Sequence, residues 1–264
     1  MTDMSLWNAK FRYLADKYSS LSPDLAVTYH CAAPAALKDV TVLEKELGSL
    51  PPSLKAFFLT VSGYLYFRVE VPESASYLPK AFSGATYGIY LSLERVRHAE
   101  KARDMWWNDV YKEDFGEGRE AATDLEQWEY TQEYSRLWRD CLGFLNLTEG
   151  HLPDFDQDGL VPEDEWEGDV LAFDLSSADP EPPVIYLSHD GASCHGQVLG
   201  HNFVDFMERL LSLGGFGATE DGRDLSYRGR NASADEWRLH RDIKSPMSFE
   251  FPEAIELRKI LDLK

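Results

Sequence analysis

Val40-Thr-Val-Leu-Glu-Lys-Glu-Leu-Gly-Ser-Leu-Pro-Pro-Ser-Leu-Lys-Ala-Phe-Phe-Leu-Thr-Val-Ser-Gly63 holds two helices and the turn between them. Val40, Leu43 and Leu47 fall at helical spacing, and Gly48 is placed to end that helix in a left-handed cap. Pro51-Pro52 then open a second helix with the stripe Leu54, Phe57, Phe58 and Val61, because first-turn N–H groups have no helical partner for proline to remove. Gly63 closes it.

Upstream, Trp7, Phe11, Leu14 and Tyr18 predict an amphipathic helix over 4–19, followed by a looser connector bounded by Pro23 and Pro34. Downstream, the aromatic and β-branched runs Tyr64 to Val71 and Tyr87 to Leu93 read as strands. The pattern from about Glu94 to Cys141 is helical, broken near Gly116 and Gly118. Two further strands are expected at Asp169 to Leu175 and Val184 to Leu187. Asn202 is placed as N-cap of a helix carrying Phe203, Phe206, Met207, Leu210 and Leu211, which Gly214-Gly215 stop. Residues 216–246 are polar and glycine-bearing. Pro252 to Leu263 predicts a short helix with Ile255, Ile260 and Leu261 inward.

Charge divides the chain more sharply than any of these elements. Between Asp104 and Asp190 stand 24 Asp/Glu against 4 Lys/Arg, while the flanks carry 22 of each sign. The net charge of -20 is therefore local. Such a field attracts cations or basic proteins and repels nucleic acid and anionic membrane. The same third contains Trp106, Trp107, Trp128, Trp138 and Trp166. Disordered acidic tails are poor in aromatics, so this segment is expected to fold with its acids outside. The competing reading is a solvated face that maintains solubility.

With 264 residues, 44% of them hydrophobic, the chain can bury a sizeable core. No run approaches the roughly 18 apolar residues of a membrane helix. Met1 to Lys17 lacks the basic-then-apolar order of a secretory signal, and three scattered Cys make no disulfide framework, so a cytoplasmic protein is expected.

The Val40–Gly63 stretch resembles the opening signature of the SUKH superfamily, which includes fungal cell-wall-synthesis regulators and bacterial immunity proteins. Gly168-Asp-Val-Leu-Ala-Phe-Asp174 is similar to that family's Gly-Asp strand. Val184-Ile-Tyr-Leu-Ser-His-Asp190 is similar to the strand after it, and Phe203-Val-Asp-Phe-Met207 to its last helix. The resemblance covers about residues 35–213. It implies an α+β fold with a mixed sheet flanked by helices, interrupted here by a helical, acidic insertion at about 94–150. The expected organisation is an N-terminal helix and connector over 1–34, a SUKH-like domain over 35–215 and a C-terminal extension over 216–264. The family carries no catalytic set, and its bacterial members imply a binding role, commonly inhibition of toxin domains.

Two constellations invite chemistry. Asp154-Phe-Asp-Gln-Asp-Gly-Leu-Val-Pro-Glu-Asp-Glu165 has the spacing of a twelve-residue calcium loop, with Asp154, Asp156, Asp158, the Leu160 carbonyl and a bidentate Glu165 as ligands. Pro162 at the ninth position, Pro153 before the loop and a strand after it argue instead for an acidic turn that contacts a partner. His189, Asp190, Cys194, His195 and His201 crowd into thirteen residues and offer zinc ligands or a Cys–His pair. Their spacing matches no metal pattern, and a polar loop with incidental histidines is the plainer alternative. Asp169, His189 and Asp190 are the polar members of the family-like strands.

These readings converge on a protein that is not an enzyme and requires no cofactor. It is expected to be an immunity or antitoxin-type protein neutralising a basic toxin domain, plausibly a nuclease, through an acidic surface. The candidate contacts are Asp154, Asp156, Asp158, Glu163, Asp164 and Glu165, with Trp106 and Trp107 as apolar anchors. The alternatives are a regulatory scaffold of the cell-wall-regulator kind, using apolar contacts, and a calcium-dependent protein or hydrolase.

Overall fold

The computed structural model describes residues 3–84, 86–112, 134–147, 168–176, 179–189, 195–215 and 252–263. In chain order these form α1 (Trp7–Leu21), β1 (Ala26–Cys31), α2 (Leu37–Leu47), α3 (Pro52–Thr60), β2 (Tyr64–Glu70) and β3 (Thr86–Ser92). There follow α4 (Leu93–Met105), a π-helical turn (Trp106–Tyr111), a helical turn at 134–139, and β4 (Cys141–Leu147). The chain then gives β5 (Asp169–Asp174), β6 (Val184–Leu187), β7 (Val198–Gly200), α5 (Phe203–Ser212) and α6 (Pro252–Ile260). The fold is α+β. Among the described residues no helix is long and apolar enough to cross a membrane.

The sheet differs from the expected one. In place of a single mixed sheet there are two, ordered β1-β2-β3 and β4-β5-β6-β7, and every described pairing is antiparallel. Alternation explains how both sheets share one core. Leu65, Phe67 and Val69 of β2 point to the same interior as Leu142, Phe144, Leu171 and Phe173 of the second sheet. Helices α1, α3, α5 and α6 fill that interior with Trp7, Phe11, Phe57, Phe203, Phe206 and Leu257. Trp7, Phe57 and Phe203 meet with ring centroids 5.7–6.1 Å apart. Each such side chain contributes about 1.5–3 kcal/mol by leaving water.

The second sheet is covered on both faces. Val170, Ala172, Ile185 and Leu187 turn away from the main core and pack under Ala99 and Ala102 of α4 and Tyr134, Leu137 and Trp138 of the helical turn. A strand buried on both faces reads as a continuous apolar run, so Cys141-Leu-Gly-Phe-Leu-Asn-Leu147 carries no alternation to mark it. The 94–150 span is thus not wholly helical. Its last stretch, β4, is a full member of the second sheet.

Local expectations fare variously. Asn202 does cap α5, its side chain accepting from the Asp205 N–H at 2.9 Å. Pro52 stands at the first position of α3. Gly48 ends α2 at φ +94°. Gly63 is not a helix cap, because α3 has ended by Thr60. Its N–H donates to the Ala33 carbonyl at 2.9 Å, and a Cβ there would lie 3.1–3.2 Å from the Ala33 and Ala35 backbone. In α6 and the turn after it the inward residues are Ala254, Leu257 and Leu261, whereas Ile255 is exposed and Ile260 only partly covered.

Candidate functional site

Trp106, Trp107, Asp169, His189 and His195 gather where α4, the π-helical turn, the 134–139 turn and the end of β6 meet. The construction starts at Gly143. Its position in β4 coincides with a register shift, and a Cβ there would stand 2.6 Å from the Ala99 carbonyl oxygen. Only glycine lets α4 lie this close to the sheet. Glu100 then accepts from the Gly143 N–H at 2.7 Å and pairs with Arg103, whose Nη1 donates to the Trp138 carbonyl at 3.2 Å. Burial pushes the Glu100 carboxyl above its usual range, against the pull of Arg103 and the Gly143 N–H.

Held in this way, α4 runs into the turn Trp106–Tyr111, where the ladder loosens to π-helical. Such insertions recur at functional sites. Trp106, Trp107 and Tyr111 turn inward onto the second core, while Asn108, Asp109 and Val110 face out. Tyr111 stacks on Trp138 at 5.5 Å, and Trp106 lies 6.2 Å from each of them. Among the described residues the buried indole N–H groups of Trp106 and Trp138 have no acceptor, and ring packing orients them.

Beneath the aromatics, the backbone N–H and carbonyl groups of Ser188 and His189 each meet a side chain. The Ser188 N–H donates to Nδ1 of His195 at 3.0 Å, and the Ser188 carbonyl accepts from the Tyr134 hydroxyl. The His189 N–H donates to Oδ1 of Asp169 at 2.9 Å, and its carbonyl accepts from the Tyr111 hydroxyl at 2.6 Å. Four groups from four elements thus hold two residues at the end of β6. The His189 ring adds an Nδ1 contact to the same Asp169 oxygen at 2.7 Å and lies 5.2 Å from Trp106, with its side chain 22% exposed. Asp169 is fully buried.

His195 is not the ligand or Cys–His partner that its neighbours advertised. Its Nδ1 accepts from Ser188, which leaves Nε2 to donate to the Tyr134 carbonyl at 3.1 Å, so both nitrogens are committed to backbone. Burial depresses its pKa to about 3, and the neutral ring stacks 3.7 Å from that of Tyr134. His201 is exposed at the start of α5, apart from this cluster. Burial pushes the Cys141 thiol well above its ordinary value, and it packs as a small apolar side chain of the second core. Among the described residues no three His, Cys, Asp or Glu side chains converge as a metal site. Asp190 and Cys194 lie outside the described residues. So do Asp154, Asp156, Asp158, Leu160, Glu163, Asp164 and Glu165, and with them the whole calcium-loop reading.

Sequence reading missed Tyr111, Tyr134 and Glu100 as members of this cluster. A tyrosine hydroxyl that reaches a strand end across more than fifty residues leaves no local signal. Comparison with family models, with curated proteins and with solved structures finds no match to this chain. The SUKH resemblance therefore rests on the quoted motifs.

Proposed function

We propose that this protein is a stoichiometric binder of a basic protein, acting in the cytoplasm as an immunity or antitoxin-type inhibitor of a toxin domain such as a nuclease. The observation that carries this reading is the confinement of the -20 charge to residues 104–190, a stretch that also supplies Trp106, Tyr111, Tyr134 and Trp138 to the second core. The described part of that third supports it. Asp104 and Asp109 are exposed beside Val110, which is 41% exposed, on a turn whose aromatic neighbours are anchored underneath. A fixed arrangement of acids lowers the ordering cost of binding, and complementary charge speeds encounter and rejects wrong partners. The orphan-free clamp at Ser188–His189 serves shape, in this reading, and performs no chemistry.

The test is a binding titration against a basic nuclease domain encoded beside this protein's gene, at low and high salt. Affinity is expected to fall steeply between 50 and 300 mM NaCl, on the order of tenfold or more for several ionic contacts. Reversing Asp154, Glu163 and Asp164 to Lys should weaken it further. Salt-independent binding overturns the proposal. Tolerance of those reversals with loss on Trp107→Ala would select the scaffold reading, which depends on apolar contact.

A further inference from the structure

One apolar face shares no residue with the aromatic cluster or the clamp. A groove of about 500 Å³ runs between α1, the end of α5 and the residues after α6, with Leu14, Leu211 and Leu263 among its walls. Along its rim, Leu6, Ala9 and Tyr13 follow one another at helical spacing. Leu6 is 52% and Tyr13 38% exposed, which makes a ridge with bulky ends and a small centre beside a hollow. The walls are fixed in advance. Trp7 Nε1 and Lys10 Nζ donate to the two oxygens of Glu208, Tyr13 donates to the Leu261 carbonyl at 3.2 Å, and Lys17 pairs with Asp262 at 3.7 Å.

We propose that this face joins two copies of the chain about a two-fold axis, with their α1 helices antiparallel. A two-fold contact requires one surface to carry both halves of each interaction. This surface does: projections and hollow lie side by side, and so do charges of both signs. Arg12 and Asp16 are exposed on the same side of α1, one turn apart, in a second depression with Asn8, Ala9 and Tyr13. A basic residue four before an acidic one is the poorer order for a pair within a helix, and among the described residues neither forms an ion pair. In the antiparallel arrangement each Arg12 faces the other copy's Asp16.

The charge of the remainder also selects this face. Lys10, Arg12 and Lys17 stand here against Asp16, Glu208 and Asp262, so the face is locally neutral while residues 104–190 hold the entire excess. Two copies therefore meet no net repulsion from the face itself. A basic foreign protein finds no net attraction at the same place.

Sedimentation velocity of the full chain from about 1 to 200 μM tests the proposal, with folding of each variant verified by circular dichroism. A concentration-dependent dimer is expected. Ala9→Arg, at an exposed helical position, should raise the dissociation constant at least tenfold. Arg12→Asp alone should weaken the dimer several-fold, and the exchange Arg12→Asp with Asp16→Arg should restore it. A monomer throughout overturns the proposal, including a monomer that binds an apolar dye in the groove. A dimer indifferent to Ala9→Arg, or a charge exchange that fails to restore what Arg12→Asp removed, overturns it equally.

Discussion

His195 stays neutral in the folded chain well below pH 6.5, because its ring nitrogens are committed and burial holds its pKa at about 3. The unfolded chain takes up that proton near the ordinary value of about 6.5. Stability from this residue is therefore complete above pH 6.5 and is lost as pH falls toward 3, by at most about 1.4 kcal/mol per pH unit. Urea unfolding at pH 4, 5, 6 and 7 should show a shallower pH slope for His195→Gln than for the parent, and parallel slopes would refute this. Asp169 makes the complementary case, as a buried acceptor for two N–H groups of one residue. Asp169→Ala should cost about 3 kcal/mol in urea unfolding, and Asp169→Asn about half of that or less, since the amide oxygen still accepts. At this scale the sequence was legible where the reason was local. Asn202 caps a helix three residues away, and Pro52 starts one. It was illegible where the partner is remote, as with Tyr134 and the Ser188 carbonyl.

Helices were legible where one face was wet. Helices α1 to α3 and α5 each have a solvent side, so their apolar stripes stood out, while β2 and β3 were marked by aromatic and β-branched runs, β3 although it is buried throughout. Strands β1, β4 and β7 escaped for separate reasons. The first is an edge strand with no buried residue, the last has three residues, and β4 has no β-branched residue and a glycine near its middle. That glycine looked like a weakness and is the point of closest approach between α4 and the sheet. Gly143→Ala brings a methyl to 2.6 Å from the Ala99 carbonyl oxygen, so α4 must lift from β4. A loss of about 3 kcal/mol or more is expected. Gly63→Ala, whose added methyl meets backbone at 3.1–3.2 Å, should cost clearly less. Thermal melts of the two variants side by side measure the difference, and equal losses would contradict the account of how α4 is seated.

For the molecule as a whole, charge and packing are organised by different parts of the sequence. The shared core draws on nearly the whole described chain, from Trp7 to Leu261, while the net charge comes from one third of the sequence. Self-repulsion within that third opposes compaction, and salt screens it over a Debye length of about 8 Å at 0.15 M. Raising NaCl from 20 to 500 mM should therefore raise the melting temperature by a few degrees, an effect a scan of the isolated protein can show; a fall would mean that attractive pairs dominate. That third was legible as charged, but the positions of its acids relative to one another follow from tertiary packing and not from composition. The clamp on Ser188 and His189 has one more consequence. Both amide protons are donated to side chains rather than to a neighbouring strand, so deuterium uptake at these two positions times the opening of the clamp itself. Separate labelling rates for 188 and 189 would distinguish release of the imidazole of His195 from release of the carboxylate of Asp169, while the β5–β6 ladder beside them stays closed.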